Sequence, residues 1–303
     1  MRQYLVANHL FTVEAPESFF DVMTNYVPFE LPSSNSDSAL TSNSEAFQHP
    51  LFHLFVEEPV AHLPELSAEW ESVFIDTSEP ELPRIEVYRS QTGWLIRQAF
   101  NRDAEAMLQV SANHDFSQAQ LLATKPSRFA VDGAAMLVYA FASLPYQTLE
   151  LHASVTVRDD WAYLFLGKSG TGKSTHSQLW QKAFPDAWLL NDDNPILRLT
   201  PEGPVVYGSP WSGKTPCYKN DSKPVGAFVK LEQAPHNQIR RLSLPEAYAY
   251  ILASASGLKI VPEMMDVMYA TIAQFVQQTP GYYLECLPNT DAACLCATTI
   301  TPK

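Results

Sequence analysis

The chain has 303 residues, 46% of them hydrophobic and 12% aromatic, with a formal net charge of −13. That is enough apolar material for a large core, in two domains or one elaborated domain, and the acidity speaks against nucleic acid and anionic membrane as partners. The charge is uneven: residues 1–130 hold 18 Asp/Glu against 7 Lys/Arg, and the remainder holds 15 against 13. An acidic N-terminal surface serves solubility, and it can also draw a basic protein or peptide.

The first ten residues lack an apolar signal core and a cleavage site, and no apolar run is long enough to span a membrane, so a cytoplasmic location is expected. Alternating apolar segments at Tyr4–Val13, Leu51–Val56, Ile85–Tyr88 and Gly93–Phe100 predict strands of a sheet-rich region. Between the first two, the polar, low-complexity stretch Pro32–Ser44 reads as a mobile surface loop. Pro80 and Pro83 bracket a further turn. Nothing in residues 1–130 has the pattern of a catalytic motif, and this part is taken as an N-terminal β-rich region without an assigned role.

From residue 131 onward the pattern changes. Asp132 to Pro145 predicts a buried helix, with Asp132 near its start and Pro145 at its end. His152–Arg158 then alternates, Asp159 and Asp160 make a turn, and Trp161–Leu166 returns as a buried strand, which together predict a hairpin. Directly after it comes Gly167 to Thr175, which fits the phosphate-loop pattern G-x-x-x-x-G-K-[ST]. In such a loop Gly167, Gly170 and Gly172 allow a backbone that turns its N–H groups toward a polyphosphate, together with Ser169, Thr171 and Thr175. Lys173 reaches the β/γ-phosphates and the Ser174 hydroxyl is a ligand for Mg²⁺. Leu179, Trp180 and Ala183 at helical spacing, stopped by Pro185, supply the helix that the motif requires. Reaching the loop by a hairpin points to a mixed sheet rather than an ordinary doubly wound one.

Further strands are predicted at Trp188–Leu190, Ile196–Leu199, Gly226–Leu231, Gln238–Leu242, Tyr282–Cys286 and Ala293–Thr299, with helices at Pro245–Ala255 and Pro262–Gln278. Asp192 and Asp193 follow a buried strand just downstream of the loop, where Mg²⁺ is commonly held. One Asp of such a pair can serve the metal while the other accepts a proton from an attacking hydroxyl; turn-forming or capping residues are the structural alternative. His152, at the other end of the hairpin from its turn, is brought beside the loop and can orient a carboxylate or move a proton. Gly208–Pro216 is a second small-residue loop, in which Lys214 can offer positive charge to a transferring phosphoryl group and Trp211 can stack on a base or wall a cleft. The four cysteines, Cys217, Cys286, Cys294 and Cys296, are too few and too irregular for a disulfide framework. Cys294 and Cys296 would share one face of a strand, and free buried thiols are expected there rather than a metal site.

Together, His152, the Gly167–Thr175 loop and Asp192-Asp193 resemble the catalytic domain of HPr kinase/phosphorylase and its relatives, over about residues 130–300. That group shares its fold with ATP-dependent phosphoenolpyruvate carboxykinases. The resemblance implies an α/β fold with a mixed sheet and Mg²⁺- and ATP-dependent phosphoryl transfer to a hydroxyl in a protein, a peptide or a small molecule such as serine. It implies Asp192 as base, Asp193 as metal partner beside Ser174, Lys173 on the donor phosphates, and a homo-oligomer. The chain departs from the family in the Thr175-His176 pair after Ser174 and in the Pro210–Lys214 loop, which occupies the region of the family's HPr-engaging segment. A nucleotide-sensing module without catalysis and a carboxykinase-like lyase are the rival readings. Sparse basic residues speak against the lyase.

Overall fold

The computed structural model describes residues 1–32, 49–75, 84–99, 107–213, 215–257 and 262–300. They form a mixed α/β protein divided into two units, Met1–Ser143 and Leu144–Lys303. Most of the Pro32–Ser44 stretch, the turn at Pro80 and Pro83, and Lys214 lie outside the described residues.

The first unit contains β1 (Arg2–Val6), β2 (His9–Glu14), the short α1 (Glu17–Phe20), a 3₁₀ turn at Thr24–Phe29, β3 (His53–Val56), β4 (Glu71–Ile75), β5 (Arg84–Arg89), β6 (Trp94–Ala99), β7 (Met107–Ala112), β8 (Gln118–Ala123) and α2 (Arg128–Ala142). Its sheet runs β1-β2-β3-β8-β7-β6-β5-β4. β3 is parallel to both β2 and β8, and the other described pairs are antiparallel. The run read as one strand from Tyr4 to Val13 is a hairpin. Ala7 and Asn8 take φ of 48° and 59°, the backbone of a primed two-residue turn, and Asn8 is the only sequence signal for it.

The helix expected from Asp132 starts four residues earlier. Ser127 caps it by accepting the Ala130 N–H at 3.2 Å, and Asp132 sits one turn in, bound to Arg128 and Asn25 at 3.0 Å each. Pro145 lies in the 3₁₀ turn that follows, Leu144–Tyr146. The small residues Ala130, Ala134, Ala135 and Val138 of α2 are buried in the first unit, and Tyr139 donates to the Val6 carbonyl at 3.1 Å. The helix therefore belongs to this unit, whereas a boundary at 130/131 would put it in the second.

The second unit contains β9 (Thr148–Glu150), β10 (Ala153–Arg158), β11 (Trp161–Leu166), α3 (Lys173–Ala183), β12 (Trp188–Asp193), β13 (Ile196–Thr200), β14 (Gly203–Tyr207), β15 (Ser222–Gln233), β16 (Gln238–Arg241), α4 (Leu244–Ser254), α5 (Pro262–Gln278), β17 (Gly281–Cys286) and α6 (Thr290–Ile300). The hairpin β10–β11 is antiparallel and closes on Asp159 and Asp160, both at positive φ. β11 then pairs in parallel with β15, so the sheet is mixed. The twelve-residue β15 is its spine: its first part pairs with β14 and its second with β11 and β17.

The last element differs from expectation. Ala293–Thr299 is not a strand but part of α6, because Ala292, Ala293, Cys296, Ala297 and Ile300 make a helical stripe that buries against Trp180 of α3 and Leu284 of β17. Asn289 supplies the start by accepting the Ala292 N–H at 3.0 Å. Cys296 is consequently buried and Cys294 exposed, on different faces, and all four cysteines are free. Among the described residues no helix is long and apolar enough to cross a membrane.

Candidate active site

Leu166 ends β11 in the core, and the chain leaves the sheet as the loop Gly167–Gly172 before α3 begins at Lys173. Gly170 (φ 80°) and Gly172 (φ 103°) hold backbone angles that strain any side-chain-bearing residue. Gln233, at the end of β15, fastens the loop by donating from Nε2 to the carbonyls of Gly170 (3.1 Å) and Thr171 (3.3 Å). The start of α3, where helix N–H groups lack intrahelical partners, borders an open cavity of about 470 Å³. Ser169, Gly170, Gly172 and Thr175 line it, and so do His152, Lys173, Ser174, Asp192, Asp193 and Gly213. Thr171 and Gly167 are not among its walls; the side chain of Thr171 lies where a Cβ on Gly167 would need to be, at 3.0 Å.

Strand register assembles the polar groups. β10 lies between β11 and β12 with Ala153 opposite both Leu166 and Asp193, so His152, one residue earlier, falls beside Gly167 and Asp193. α3 is held to β10 by the 2.6 Å hydrogen bond between the Ser154 and Ser177 hydroxyls. Ser174 Oγ donates to Asp192 Oδ1 at 3.0 Å. His152 Nε2 lies 3.0 Å from Asp193 Oδ1 and 2.9 Å from Lys173 Nζ, and Nζ also donates to the Gly167 carbonyl at 3.0 Å. His152, Lys173, Ser174, Asp192 and Asp193 are thus one constellation. Its internal pairing differs from the one the resemblance implies: Ser174 sits against Asp192, and Asp193 against His152.

The contacts of His152 conflict chemically. A single ring nitrogen carries either a proton or a lone pair. With a proton, Nε2 satisfies Asp193 but confronts the Lys173 ammonium; with a lone pair, it accepts from Lys173 but faces the carboxylate. Burial lowers the pKa of Lys173 from the ordinary lysine value, and the nearby Lys230 ammonium adds to this, while Asp193 and Asp192 oppose both. Lys230 carried no sequence signal. It reaches the site because β15 pairs Lys230 with Leu166, and its ammonium rests on the Leu231 carbonyl (2.6 Å) and Glu232 (3.2 Å).

One more group shapes the site without any motif to announce it. Glu150, on β9, is buried, and its carboxyl is pushed up to about 8, first by burial and further by the charge on Asp193; a hydrogen bond from Ser256 works the other way. Its Oε2 is buried with no hydrogen-bond partner among the described residues. Asp193 itself holds φ at 127°, a strained angle for a residue with a side chain. Its carboxylate lies over Gly213, where an added Cβ would come within 3.0 Å.

The second small-residue loop hugs β12. The Gly213 N–H (2.8 Å) and the Ser212 hydroxyl (2.9 Å) donate to the Asp192 carbonyl, and the Asn191 amide donates to Ser209 Oγ (3.1 Å) and the Trp211 carbonyl (3.2 Å). Trp211 is 1% exposed, so its ring is a core residue and not a platform for a base. His176 is likewise buried, accepts the Trp180 indole N–H at 3.1 Å and packs on Phe165. Burial pushes its imidazole down to about 4, so it is neutral and structural.

Ser174 Oγ and Asp192 Oδ1 are the oxygens best placed to hold a cation. Among the described residues no group of three or more His, Cys, Asp and Glu side chains forms a metal site. The pair fits Mg²⁺ rather than a metal with an all-protein cage, because Mg²⁺ is usually held by one or two protein oxygens, substrate phosphates and water.

No family model matches the sequence, and no curated protein matches it. Among solved structures, the Hpr(Ser) kinase/phosphatase from Coxiella burnetii is similar over 49% of this chain and 86% of its own, at 14% identity and a TM-score of 0.30. A likeness at that TM-score carries no argument about fold or activity.

Proposed function

We propose that the second unit is an HPr kinase-like phosphotransferase that moves the γ-phosphoryl group of ATP to a hydroxyl, with Mg²⁺ as cofactor. The observation that carries this reading is the convergence of Lys173, Ser174, Asp192, Asp193 and His152 on one cavity at the mouth of the glycine loop. A module that only binds nucleotide has no need of the second carboxylate and its histidine.

The geometry supports a division of roles between the two aspartates that reverses the one drawn from the resemblance. Asp192, bound to Ser174, would hold Mg²⁺ together with that hydroxyl, and the bound cation would supply neutralising charge to the donor phosphates. Asp193, bound to His152, accepts the proton of the acceptor hydroxyl. As that O–H bond breaks, the oxygen attacks the γ-phosphorus and the bond to the β-bridging oxygen breaks, which releases ADP. Lys173 and the N–H groups at the start of α3 stabilise the phosphoryl charge. Donor phosphates draw the Lys173 ammonium off His152, which removes the conflict at Nε2 and leaves its proton to orient Asp193. Lys214 is a further candidate cation for the transferring group.

The test uses ATP labelled at the γ-position and a cell extract as acceptor source. Asp193→Asn should lower transfer by about 10²–10⁴-fold with nucleotide affinity unchanged. Asp192→Asn should raise the Mg²⁺ concentration needed for half-maximal binding of ATP. If Asp192→Asn loses transfer with its Mg²⁺ dependence intact, while Asp193→Asn keeps turning over, the original assignment of Asp192 as base is the correct one. Nucleotide binding without labelled product from any acceptor would favour a sensing module.

A further inference from the structure

Across the glycine loop from the Lys173 cavity lies a second one of about 510 Å³, within the size range of small-molecule sites. The two cavities share Gly170, Gly172 and Thr175, so a polyphosphate on the loop would extend from one into the other. The second is walled by Leu179 of α3 and by the ends of β15 and β17, through Leu231, Pro235, Cys286 and Leu287. β11, β15 and β17 run parallel, and the cavity opens at their C-terminal ends, where ligands bind in open α/β sheets.

The chemistry of this wall differs from that of the first cavity. Among the described residues no Asp, Glu, Lys or Arg lines it. Several of its polar groups are engaged already. Gln233 gives its amide N–H groups to the loop carbonyls, and His176 Nε2 takes the Trp180 indole. The Ala234 N–H is bound to the Cys286 carbonyl at 3.1 Å, and the Leu287 N–H to Asn237 Oδ1 at 2.8 Å. Pro235 and Pro288 have no N–H to offer.

Building on the phosphotransferase reading above, we infer that this cavity takes the nucleoside of the donor and holds its base by apolar contact, so that the donor is selected by its polyphosphate and not by its base. A site that hydrogen-bonds a ligand's edge rejects the wrong one by about 10⁴-fold or more, whereas aliphatic walls discriminate far less. The purine base would lie against Leu179, Leu231 and Leu287, with the Cys286 thiol at the edge of the contact.

The experiment uses the full chain carrying Cys294→Ser, which leaves Cys286 as the one partly exposed thiol because Cys217 and Cys296 are buried. Affinities for ATP, GTP and inorganic tripolyphosphate, each with Mg²⁺, are measured by thermal shift, and alkylation of Cys286 by N-ethylmaleimide is timed with each present. The expected result is that ATP and GTP bind within about tenfold of each other and both more tightly than tripolyphosphate. Both should slow alkylation at least severalfold, and tripolyphosphate should not. A preference for one purine of more than about a hundredfold overturns the base tolerance. ATP binding that leaves Cys286 unprotected overturns the placement of the nucleoside. Tripolyphosphate binding as tightly as ATP removes the nucleoside site and leaves the phosphate loop standing, whereas no binding by any of the three overturns both this inference and the phosphotransferase reading.

Discussion

The two units build their sheets from similar alternating runs, eight strands in one and nine in the other among the described residues, yet they use their polar residues differently. In the first unit some polar side chains answer one another, His53 sharing a 2.6 Å hydrogen bond with Thr12 and Asp132 bound to Asn25 and Arg128. The buried polar atoms of Tyr4, Trp94 and Ser143 that lack a hydrogen-bond partner among the described residues are scattered there rather than gathered at one cavity. In the second unit polar groups gather at the ends of strands and remain in tension. Lys173 is partly desolvated, Asp193 is strained, His152 faces two partners with one nitrogen, and Glu150 has a buried oxygen without a partner among the described residues. Unrelieved polar groups cluster at functional sites because a ligand, not the protein, completes them. The clustering of such groups around one cavity supports the proposal that the second unit carries the chemistry.

Substitutions can break that contrast, and the largest effect should come from the loop lysine. Lys173→Met should lower kcat/KM for transfer by about 10²–10³-fold, measured with labelled ATP, because one preorganised charge on the transferring group is worth that much. Equal activity in this variant would place the chemistry elsewhere.

Next comes Glu150. A carboxyl raised from 4.5 to about 8 in the folded state binds a proton there that the unfolded chain has already lost. Its contribution is therefore full below pH 4.5 and is lost as pH rises to about 8, a difference on the order of 5 kcal/mol. Glu150→Gln should remove this decline, so that urea midpoints of the variant exceed those of the parent at pH 8 and converge toward it at pH 5. Parallel midpoints at both pH values would mean that the carboxyl is not held neutral.

His176 gives a somewhat smaller effect of opposite sign. Its folded pKa falls from 6.5 to about 4, so the unfolded chain takes up a proton between those values and the folded one does not. Stability is full above pH 6.5 and falls as pH drops toward 4, by about 3 kcal/mol. His176→Gln keeps an acceptor for the Trp180 indole and should flatten the acid limb of the same urea series.

The smallest effect tests the other unit. Ser127→Ala removes the cap of α2 and should destabilise the first unit by about 1 kcal/mol. ATP affinity should stay within twofold, about the noise of such a measurement. A large loss of affinity would show that the units are coupled and would weaken the division of labour drawn from their polar groups.

Much of the site was legible in the chain itself. The loop from Gly167 to Thr175, the strand before it and the helix after it follow from local rules: glycines where φ must be positive, aliphatic residues where a strand is buried, Pro185 after the helix. The hairpin was legible too, since it needs only two alternating runs and a turn at Asp159-Asp160. Local signals failed where two periodicities fit one short run. Ala293–Thr299 alternates well enough for a strand, and its place against Trp180 and Leu284 makes it helical. They failed again at Ala7-Asn8, where a reversal occurs without glycine.

What only the tertiary structure decided is who faces whom. That Asp193 pairs with His152 and Asp192 with Ser174 depends on the register between β10 and β12, which is set by the packing of whole strands. Lys230 and Glu150 enter the site's electrostatics through neighbours 57 or fewer positions away in sequence, across strands that no motif connects. The apolar cavity beyond the loop likewise exists only because β15 and β17 end side by side. Sequence fixes local backbone preference, which is a short-range property; charge fields and cavities are properties of the assembled surface and appear only when distant strands meet.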